Sequence, residues 1–297
     1  MNPSEIICAT SITHQHILGV LNTLLLNRSK KIEGQLKILD AGCGNGKLII
    51  YLHRVLKQIY PTLDIALYGF DVSNHGVQRE GFLENTIANL SSQIPETDWR
   101  SRIFCIKSGE NWDFHDNFFD YIVSNQVLEH VHDKRFFFSN IYKKLLDDGY
   151  SIHLAPLTHI IHEGHVDLPY AHRIRSWCGL CAYIKFLSVL RLGKFRKHKK
   201  ETGISLEKYS EKHADYIYFW TCYATENETI KYAKLSGLRA DFRFTAEFYS
   251  AKIRNIFRMP VKYVYRFREP SLFDAGVVKI LRYISSVTLV CQKRNIY

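Results

Sequence analysis

Apolar residues recur along the first 155 positions with two alternating periods, one typical of helices and one typical of buried strands. Gly, Pro and Asp residues separate the segments, which places turns between them. The predicted helices cover residues 12–26, 47–60, 77–90, 127–131 and 135–146. The predicted strands cover residues 36–39, 65–70, 103–106, 119–124 and 150–155, with Asp148-Gly149 as the turn before the last.

This alternation of strands and helices predicts an α/β fold, because parallel strands need crossover connections that cover both faces of the sheet. After Pro156 the periodicity becomes irregular, and we predict an insertion. A helix at 226–236 and strands at 238–244 and 287–291 are expected to complete the sheet. Three parts are therefore predicted: a core over 1–157, a cap over 158–215, and a C-terminal completion over 216–297 with a second basic insertion at 246–285.

A glycine loop lies between the first sheet strand and the helix that follows it. Asp40 ends the strand, and Gly42, Gly44 and Gly46 form the loop. Such a loop lets backbone amides approach a ligand and aims the helix N-terminus at it. Asp71 ends the next strand, where a carboxylate can bind both hydroxyls of a ribose. The pattern predicts a nucleotide-like ligand at this edge of the sheet.

Residues 38–46, Ile-Leu-Asp-Ala-Gly-Cys-Gly-Asn-Gly, resemble the first motif of the class I, Rossmann-like S-adenosylmethionine-dependent methyltransferases. Segments 68–73, 109–120, 120–131 and 145–156 resemble later segments of that family, in the same order. The resemblance covers residues 36–156. It implies an enzyme with S-adenosylmethionine as its cofactor and a doubly wound, seven-stranded, mainly parallel sheet whose seventh strand is antiparallel.

The resemblance also predicts the cofactor-binding residues: Asp40, Gly42, Gly44, Gly46, Asp71, Ser108, Glu110 and Asn125. The family usually has an Asp after the third strand to accept the adenine amino group. This chain has Ser108 there, and we expect Glu110 to make that contact instead. A nicotinamide dehydrogenase shares the fold, but its G-x-G-x-x-G fingerprint is absent because the third glycine comes one residue early.

Two histidines are candidates for an acceptor-site base. His130 follows the fourth strand of the core, and His165 lies in Glu163-Gly-His-Val-Asp-Leu-Pro169, which resembles a segment of methyltransferases among bacterial surface-glycan enzymes. Alternatively, His130 is a packed structural residue and His165 a surface residue. No metal is predicted, because no carboxylate cluster accompanies His159, His162 and His165. Cys178 and Cys181 form a C-x-x-C pair without a second pair, which favours two apolar thiols over a zinc or redox site.

Positive charge is concentrated in the second half of the chain. Residues 31–157 hold 13 Lys and Arg against 16 Asp and Glu, whereas residues 158–297 hold 25 against 12, a net charge of +13. This half is expected to face a phosphate-bearing acceptor or an anionic membrane, with a solvated surface as the alternative. Residues 180–200 combine an apolar helical stripe with a basic run, which fits either a membrane-surface helix or an ordinary packed helix. Nucleic acid is not expected, because no Asn-Pro-Pro-Tyr-type motif follows the fourth strand.

The predicted reaction is O-methylation of a carbohydrate or lipid-linked glycan intermediate. Methylation of a quinone-like, lipid or other small molecule is the alternative acceptor class, and a noncatalytic cofactor-fold binding module is the non-enzyme alternative. Scattered cysteines and the absence of a secretory pattern in residues 1–11 predict a cytoplasmic protein, with peripheral contact at the inner membrane face. No apolar run approaches the roughly 20 residues that span a bilayer.

Overall fold

A computed structural model describes residues 11–28, 34–73 and 81–294 of the chain. Nine strands are defined in it: β1 (Gln35–Ala41), β2 (Asp64–Val72), β3 (Ile103–Ile106), β4 (Phe119–Asn125), β5 (Leu145–Ala155), β6 (His162–Glu163), β7 (Leu168–Pro169), β8 (Leu238–Asp241) and β9 (Val287–Lys293). The helices are α1 (Ile12–Leu26), α2 (Lys47–Ile59), α3 (Phe82–Gln93), α4 (Lys134–Lys144), α5 (Trp177–Val189), α6 (Phe195–Thr202), α7 (Leu206–Trp220), α8 (Glu226–Leu235), α9 (Thr245–Ile256) and α10 (Leu272–Leu281).

Seven strands form one sheet in the order β3-β2-β1-β4-β5-β9-β8. Neighbours from β3 to β5 pair in parallel, and β9 pairs antiparallel with both β5 and β8. The expected Rossmann-like, mainly parallel sheet with one antiparallel strand is therefore confirmed. Because the carboxyl ends of β1, β2 and β4 meet at one edge of the sheet, the loops after them share a single site.

Helices cover both faces of the sheet and bury two separate apolar layers. Side chains of α1, α2, α3 and α9 pack on one face, where Leu21, Leu52 and Phe248 are buried. Side chains of α4, α8 and α10 pack on the other face, where Phe138 and Val278 are buried. This arrangement explains why the central strands read as continuous apolar runs, since both of their faces lie away from water.

The insertion after β5 has a small core of its own. A hairpin of β6 and β7 precedes α5, α6 and α7, and these elements bury Val166, Leu180, Ile184 and Tyr209 together. The last helix of this unit continues to Trp220, beyond the predicted limit at 215. In the described parts of the chain, no helix is both long and apolar enough to cross a bilayer.

The apolar stripe predicted for residues 180–190 faces this core. Leu180 and Ile184 are fully buried, and Tyr183 and Leu187 pack against the same cluster. The stripe therefore belongs to an ordinary packed helix, and of its five members only Leu190 is exposed.

The second insertion packs against one face of the sheet. Phe244, Phe248, Tyr263 and Tyr265 join the apolar layer of α1 and α2. Tyr265 Oη lies 3.1 Å from Nδ1 of the buried His16 on α1. Residues 246–285 thus build a face of the sheet, because their aromatic side chains fill the space beside α1.

Some local predictions need correction. The segment predicted as a helix at 127–131 is one 3-10 turn, Leu128–His130. The strand predicted to reach 244 ends at Asp241, because Phe244 adopts a left-handed backbone (φ 68°) and caps α9. Asp148-Gly149 lies in an irregular stretch of β5, and the predicted turn is wrong. The helix predicted at 77–90 is α3, and residues 77–80 lie outside the described residues, as does Cys8.

Candidate active site

The loop after β1 is built by glycines in left-handed conformations. Gly42, Gly44 and Gly46 have φ values of 83°, 51° and 77°, which side chains with a Cβ rarely adopt. The N–H groups of Gly42 and Cys43 donate to the carbonyl of Phe70 at 2.8 and 3.0 Å, so the loop is tied to the end of β2. Gly46 then caps the N-terminus of α2. The loop leaves its backbone and the helix N-terminus exposed to a ligand.

Asp71 joins this loop to the end of β2. Its Oδ2 accepts a hydrogen bond from the N–H of Gly44 at 2.9 Å, and its Oδ1 accepts one from the N–H of Val72 at 2.7 Å. Apart from Gly44 itself and its two chain neighbours, no described residue has an atom within 4 Å of the position that a Cβ on Gly44 would occupy. The tip of the loop therefore borders open space directly beside the Asp71 carboxylate.

Asp40 lies beneath the loop and is 3% exposed. Burial, together with the nearby charge of Asp71, raises the pKa of the Asp40 carboxyl to about 8. Its Oδ1 has no hydrogen-bond partner among the described residues. An unsatisfied buried oxygen of this kind favours a cationic or donating ligand nearby.

One cavity of about 540 Å³ lies at the carboxyl ends of β1, β2 and β4. That volume is within the range of about 300–1,000 Å³ that small-molecule sites occupy. Seven of the predicted residues line it: Gly42, Asp71, Ser108, Glu110, Asn125, His130 and His165. Asp40, Gly44 and Gly46 are not in its wall and instead shape the loop beside it.

The apolar wall of this cavity was not predicted. The rings of Phe70, Trp112 and Phe137 pack together, with centroids 4.7 and 5.3 Å from that of Trp112. Val127 also lines the cavity and would lie 2.4 Å from a Cβ on Gly42. In the sequence, Trp112 within segment 109–120 was the one residue that indicated this apolar wall.

The side chains expected near an adenine ring already make hydrogen bonds within the chain. Glu110 Oε2 accepts a hydrogen bond from the N–H of Lys107 at 3.2 Å, and its other oxygen lies 3.9 Å from Lys107 Nζ. Asn125 Nδ2 donates to Thr13 Oγ1 at 3.1 Å, and its buried Oδ1 lacks a partner among the described residues. Asn125 thus attaches the start of α1 to the cavity.

His165 enters the cavity from the insertion and is held by Glu163. Nδ1 of His165 lies 2.5 Å from Oε1 of Glu163, which also accepts a hydrogen bond from Tyr223 Oη at 3.0 Å. The other Glu163 oxygen accepts from the N–H groups of His165 and Val166. Burial alone would raise the pKa of the fully buried Glu163 carboxyl, but the hydrogen bonds and charge of His165 hold that pKa below its ordinary value.

His130 lies beside His165, and Tyr216 of α7 contacts both. The imidazole centroids are 5.4 Å apart, and the Tyr216 ring lies 4.5 Å from His165. His130 Nδ1 donates to the carbonyl of Trp220 at 2.8 Å, and its Nε2 lies 3.5 Å from Tyr216 Oη. Tyr216 carries no sequence signal, since no motif surrounds it and it is distant from His130 along the chain.

The other histidines of the segment after β5 lie elsewhere. His162 is exposed beside Asp167, whereas His159 and His172 line a second cavity. Within the described ranges, no cluster of three or more His, Cys, Asp or Glu side chains has an arrangement suited to a metal ion.

The site combines a glycine loop, a strand-end carboxylate and a cavity with two histidines. This geometry agrees with a match to a family model. Residues 14–208 match the model described as a methyltransferase domain, which is more than half of the chain. The chain belongs to this methyltransferase family. Its members are class I S-adenosylmethionine-dependent enzymes, and S-adenosylmethionine is the cofactor. No curated protein sequence matches the chain.

The chain resembles solved protein structures at low sequence identity. PKMT2 from Rickettsia typhi is 15% identical with a TM-score of 0.51, and the match covers 98% of this chain and 55% of that protein. Phosphoethanolamine N-methyltransferase 2 from Haemonchus contortus, solved with S-adenosylmethionine, is 15% identical with a TM-score of 0.46, covering 96% and 57%. The chain thus spans little more than half the length of these proteins, and the likeness concerns the fold alone.

The residues of this methyltransferase fit the cofactor. The open space at Gly44 and the Asp71 carboxylate suit its ribose, while the unsatisfied oxygen of Asn125 in the cavity wall suits a hydrogen-bond donor or a cationic group. The apolar wall around Trp112 suits the flat faces of an adenine. When bound, S-adenosylmethionine supplies an electrophilic methyl group on a sulfonium.

Proposed function

We propose that this methyltransferase transfers the methyl group to a hydroxyl oxygen, with His165 as the base. The supporting observation is that His165, which is held by the buried Glu163, lines the cavity that the cofactor loop also borders. Alignment of an acceptor with the methyl group is the main requirement of this chemistry. A base is needed in addition when the acceptor is a hydroxyl.

His165 and Glu163 have different roles in the proton transfer. Nδ1 of His165 is engaged by Glu163, so Nε2 is the ring nitrogen that would take the acceptor proton. The acceptor oxygen would gain the methyl group as the methyl–sulfur bond of the cofactor breaks and S-adenosylhomocysteine leaves. The ionised Glu163 carboxylate stabilises the resulting imidazolium. Tyr216 and His130 pack against the ring and hold it in place, and we assign them positioning roles.

We further propose a carbohydrate or lipid-linked glycan intermediate as the acceptor. A polar cavity of about 680 Å³ is lined by His159, His172, Arg173 and Arg175. Tyr223 lines it as well and donates to Glu163, so this cavity lies directly behind the His165 pair. Its cationic side chains are complementary to the phosphate of a lipid-linked sugar.

The parts of the chain then have separate roles in the proposal. Residues 1–157 bind the cofactor, and residues 158–215 supply the base and the acceptor-facing cap. Residues 216–297 complete the sheet and contribute Tyr216 and Tyr223 beside the His165 pair. All six cysteines among the described residues are unpaired, which fits a reducing cytoplasm. We place the reaction there, at the inner face of a membrane.

Acceptor screening with glycan, glycolipid and quinone fractions tests this function, with S-adenosylhomocysteine release as the readout. We expect transfer to a hydroxyl of a glycan or lipid-linked fraction, and a loss of about 10²-fold or more in His165→Ala. His162→Ala is the matched control, because that loop histidine is exposed and lies outside the cavity. Methylation of an amine, of quinones only, or at an undiminished rate in His165→Ala would refute the proposal.

A further inference from the structure

Two adjacent helices of the second insertion expose large apolar side chains. α9 and α10 pack against one another, and eight apolar residues on these helices and in the turns that follow them are 47–92% exposed. These residues, which we name the α9–α10 surface, are Ile253, Ile256, Phe257, Met259, Leu272, Phe273, Ile280 and Ile284. Single exposed apolar residues are ordinary, but a group of eight within 32 positions marks an interaction surface.

The spacing of these residues shows that the exposed apolar side chains of α10 share one side of the helix. Phe273, Ile280 and Ile284 follow one side of α10 and its C-terminal turn, while Val278 on the other side is 2% exposed. On α9, Ile256 is 74% exposed whereas Phe248 is 1% exposed. α10 is thus apolar on both its core side and its outer side, and α9 adds the exposed Ile253 and Ile256 near its C-terminal end.

Cationic residues are frequent in the stretch of chain that carries this surface. Residues 245–285 contain eight Lys and Arg against three Asp and Glu. The three acids are already paired, Glu247 and Asp274 with Arg268, and Glu269 with Arg239. Four exposed cations have no ion-pair partner among the residues that the structure describes: Arg258, Lys262, Arg266 and Lys279. The surface therefore combines apolar area with a net positive charge.

We propose that the α9–α10 surface docks on an anionic lipid bilayer. Apolar side chains of amphipathic helices enter the interface between headgroups and acyl chains, and Lys and Arg contact anionic headgroups. A second copy of the chain would bring an equally cationic face against this one, so charge disfavours self-association.

The surface is connected to the acceptor side of the site. The carbonyl of Tyr283 accepts a hydrogen bond from the N–H of Ile161 at 2.9 Å, and its ring contacts His159 at 5.7 Å between centroids. Ile284, the next residue, belongs to the docking surface. Docking would therefore hold the segment that carries His165 close to the bilayer. The inference does not depend on the proposed acceptor, because vesicle binding requires neither cofactor nor turnover.

Vesicle sedimentation with the full chain tests the proposal. We expect binding to vesicles of equal parts phosphatidylcholine and phosphatidylglycerol, weak binding to phosphatidylcholine alone, and weakening by salt. The triple variant Phe257→Ser, Phe273→Ser, Ile280→Ser should bind about tenfold or more weakly. The matched control is Phe186→Ser, Val189→Ser, Leu192→Ser, which alters comparably exposed residues at the end of α5 and should bind like the wild type.

Circular dichroism and cofactor titration establish that both triple variants are folded. Absence of binding to the anionic vesicles overturns the proposal, as does loss of binding in the α5 control with retention in the α9–α10 variant. A dimer in sedimentation equilibrium that the α9–α10 substitutions dissociate, without vesicle binding, would identify a second copy as the occupant instead.

Discussion

The Nδ1 atom of His165 lies 2.5 Å from Oε1 of Glu163, a carboxylate with no exposed surface. Glu163 accepts four hydrogen bonds in all, from the His165 ring, Tyr223 and two backbone N–H groups. A buried carboxylate with this many donors is a rigid anchor, and it fixes which ring nitrogen meets the cavity.

Glu163→Gln should therefore lower kcat by about 10²-fold, because the amide no longer stabilises a protonated His165. Cofactor affinity should not change, since Glu163 is absent from the cofactor loop and from the cavity wall. Turnover kinetics and calorimetry separate the two effects. Glu207→Gln, at an exposed ion pair with Lys185, is the control. Equal losses of affinity and kcat would indicate a structural role.

Gly44→Val should abolish detectable S-adenosylmethionine binding. The residue has a φ of 51°, and a branched side chain would project into the open space beside Asp71. Gly203→Val is the matched control, because Gly203 also has a left-handed backbone and open surroundings but lies at the end of α6. Calorimetric titration measures both variants; similar binding by both would show that Gly44 does not border the cofactor.

Asp71→Ala should also abolish cofactor binding while the protein remains folded. The substitution removes the acceptor for the Gly44 N–H and the carboxylate in the cavity wall. Titration with S-adenosylmethionine and S-adenosylhomocysteine, with NAD as the negative control, measures the effect. Retained micromolar binding by a folded Asp71→Ala protein would contradict the assignment of this site.

Asp40→Asn should change how stability depends on pH. The pKa of Asp40 is about 8 in the folded protein against 3.8 in an unfolded chain, so the folded state binds more protons between these values. Stability from this group therefore falls as pH rises through that window. The variant lacks this decline and should gain stability relative to the wild type at pH 8 more than at pH 5. Thermal unfolding at both pH values gives the difference, and a constant difference would mean that Asp40 is ionised throughout.

Arg28→Ala should lower the free energy of unfolding by about 3–5 kcal/mol, because it leaves two carboxylates without their cation. Arg28 Nη1 lies 2.5 Å from Asp120 on β4, and Arg28 Nε and Nη2 donate to Asp148 on β5 at 3.0 and 2.9 Å. Urea denaturation measures the change. Lys197→Ala removes an exposed pair with Glu201 and should cost less than about 1 kcal/mol. A similar small change in both would show that the buried pair contributes little.

Sequence alone determined the helices and strands that depend on residues close together in the chain. The apolar period predicts α1 with the observed bounds, Ile12–Leu26, and β3 likewise, because a helix or strand depends on neighbours a few positions away. The glycine loop and Asp71 could be placed at one edge for a similar reason, since parallel strands bring their carboxyl ends together. The ordered motifs then predicted the family.

Tertiary structure decided which distant surfaces meet. The meeting of His130, His165 and Tyr216 depends on how α7 packs beside the turn Leu128–His130 that follows β4, and the local hydrophobic period of the sequence does not predict this packing. The spacing of the apolar stripe that contains Leu180 is compatible with contact to either lipid or protein. Only its packing against α7 shows that it contacts protein. Likewise, the spacing of α10 does not reveal that Val278 is buried while Ile280 remains exposed. Helical periodicity marks an apolar face, but long-range packing determines what that face contacts.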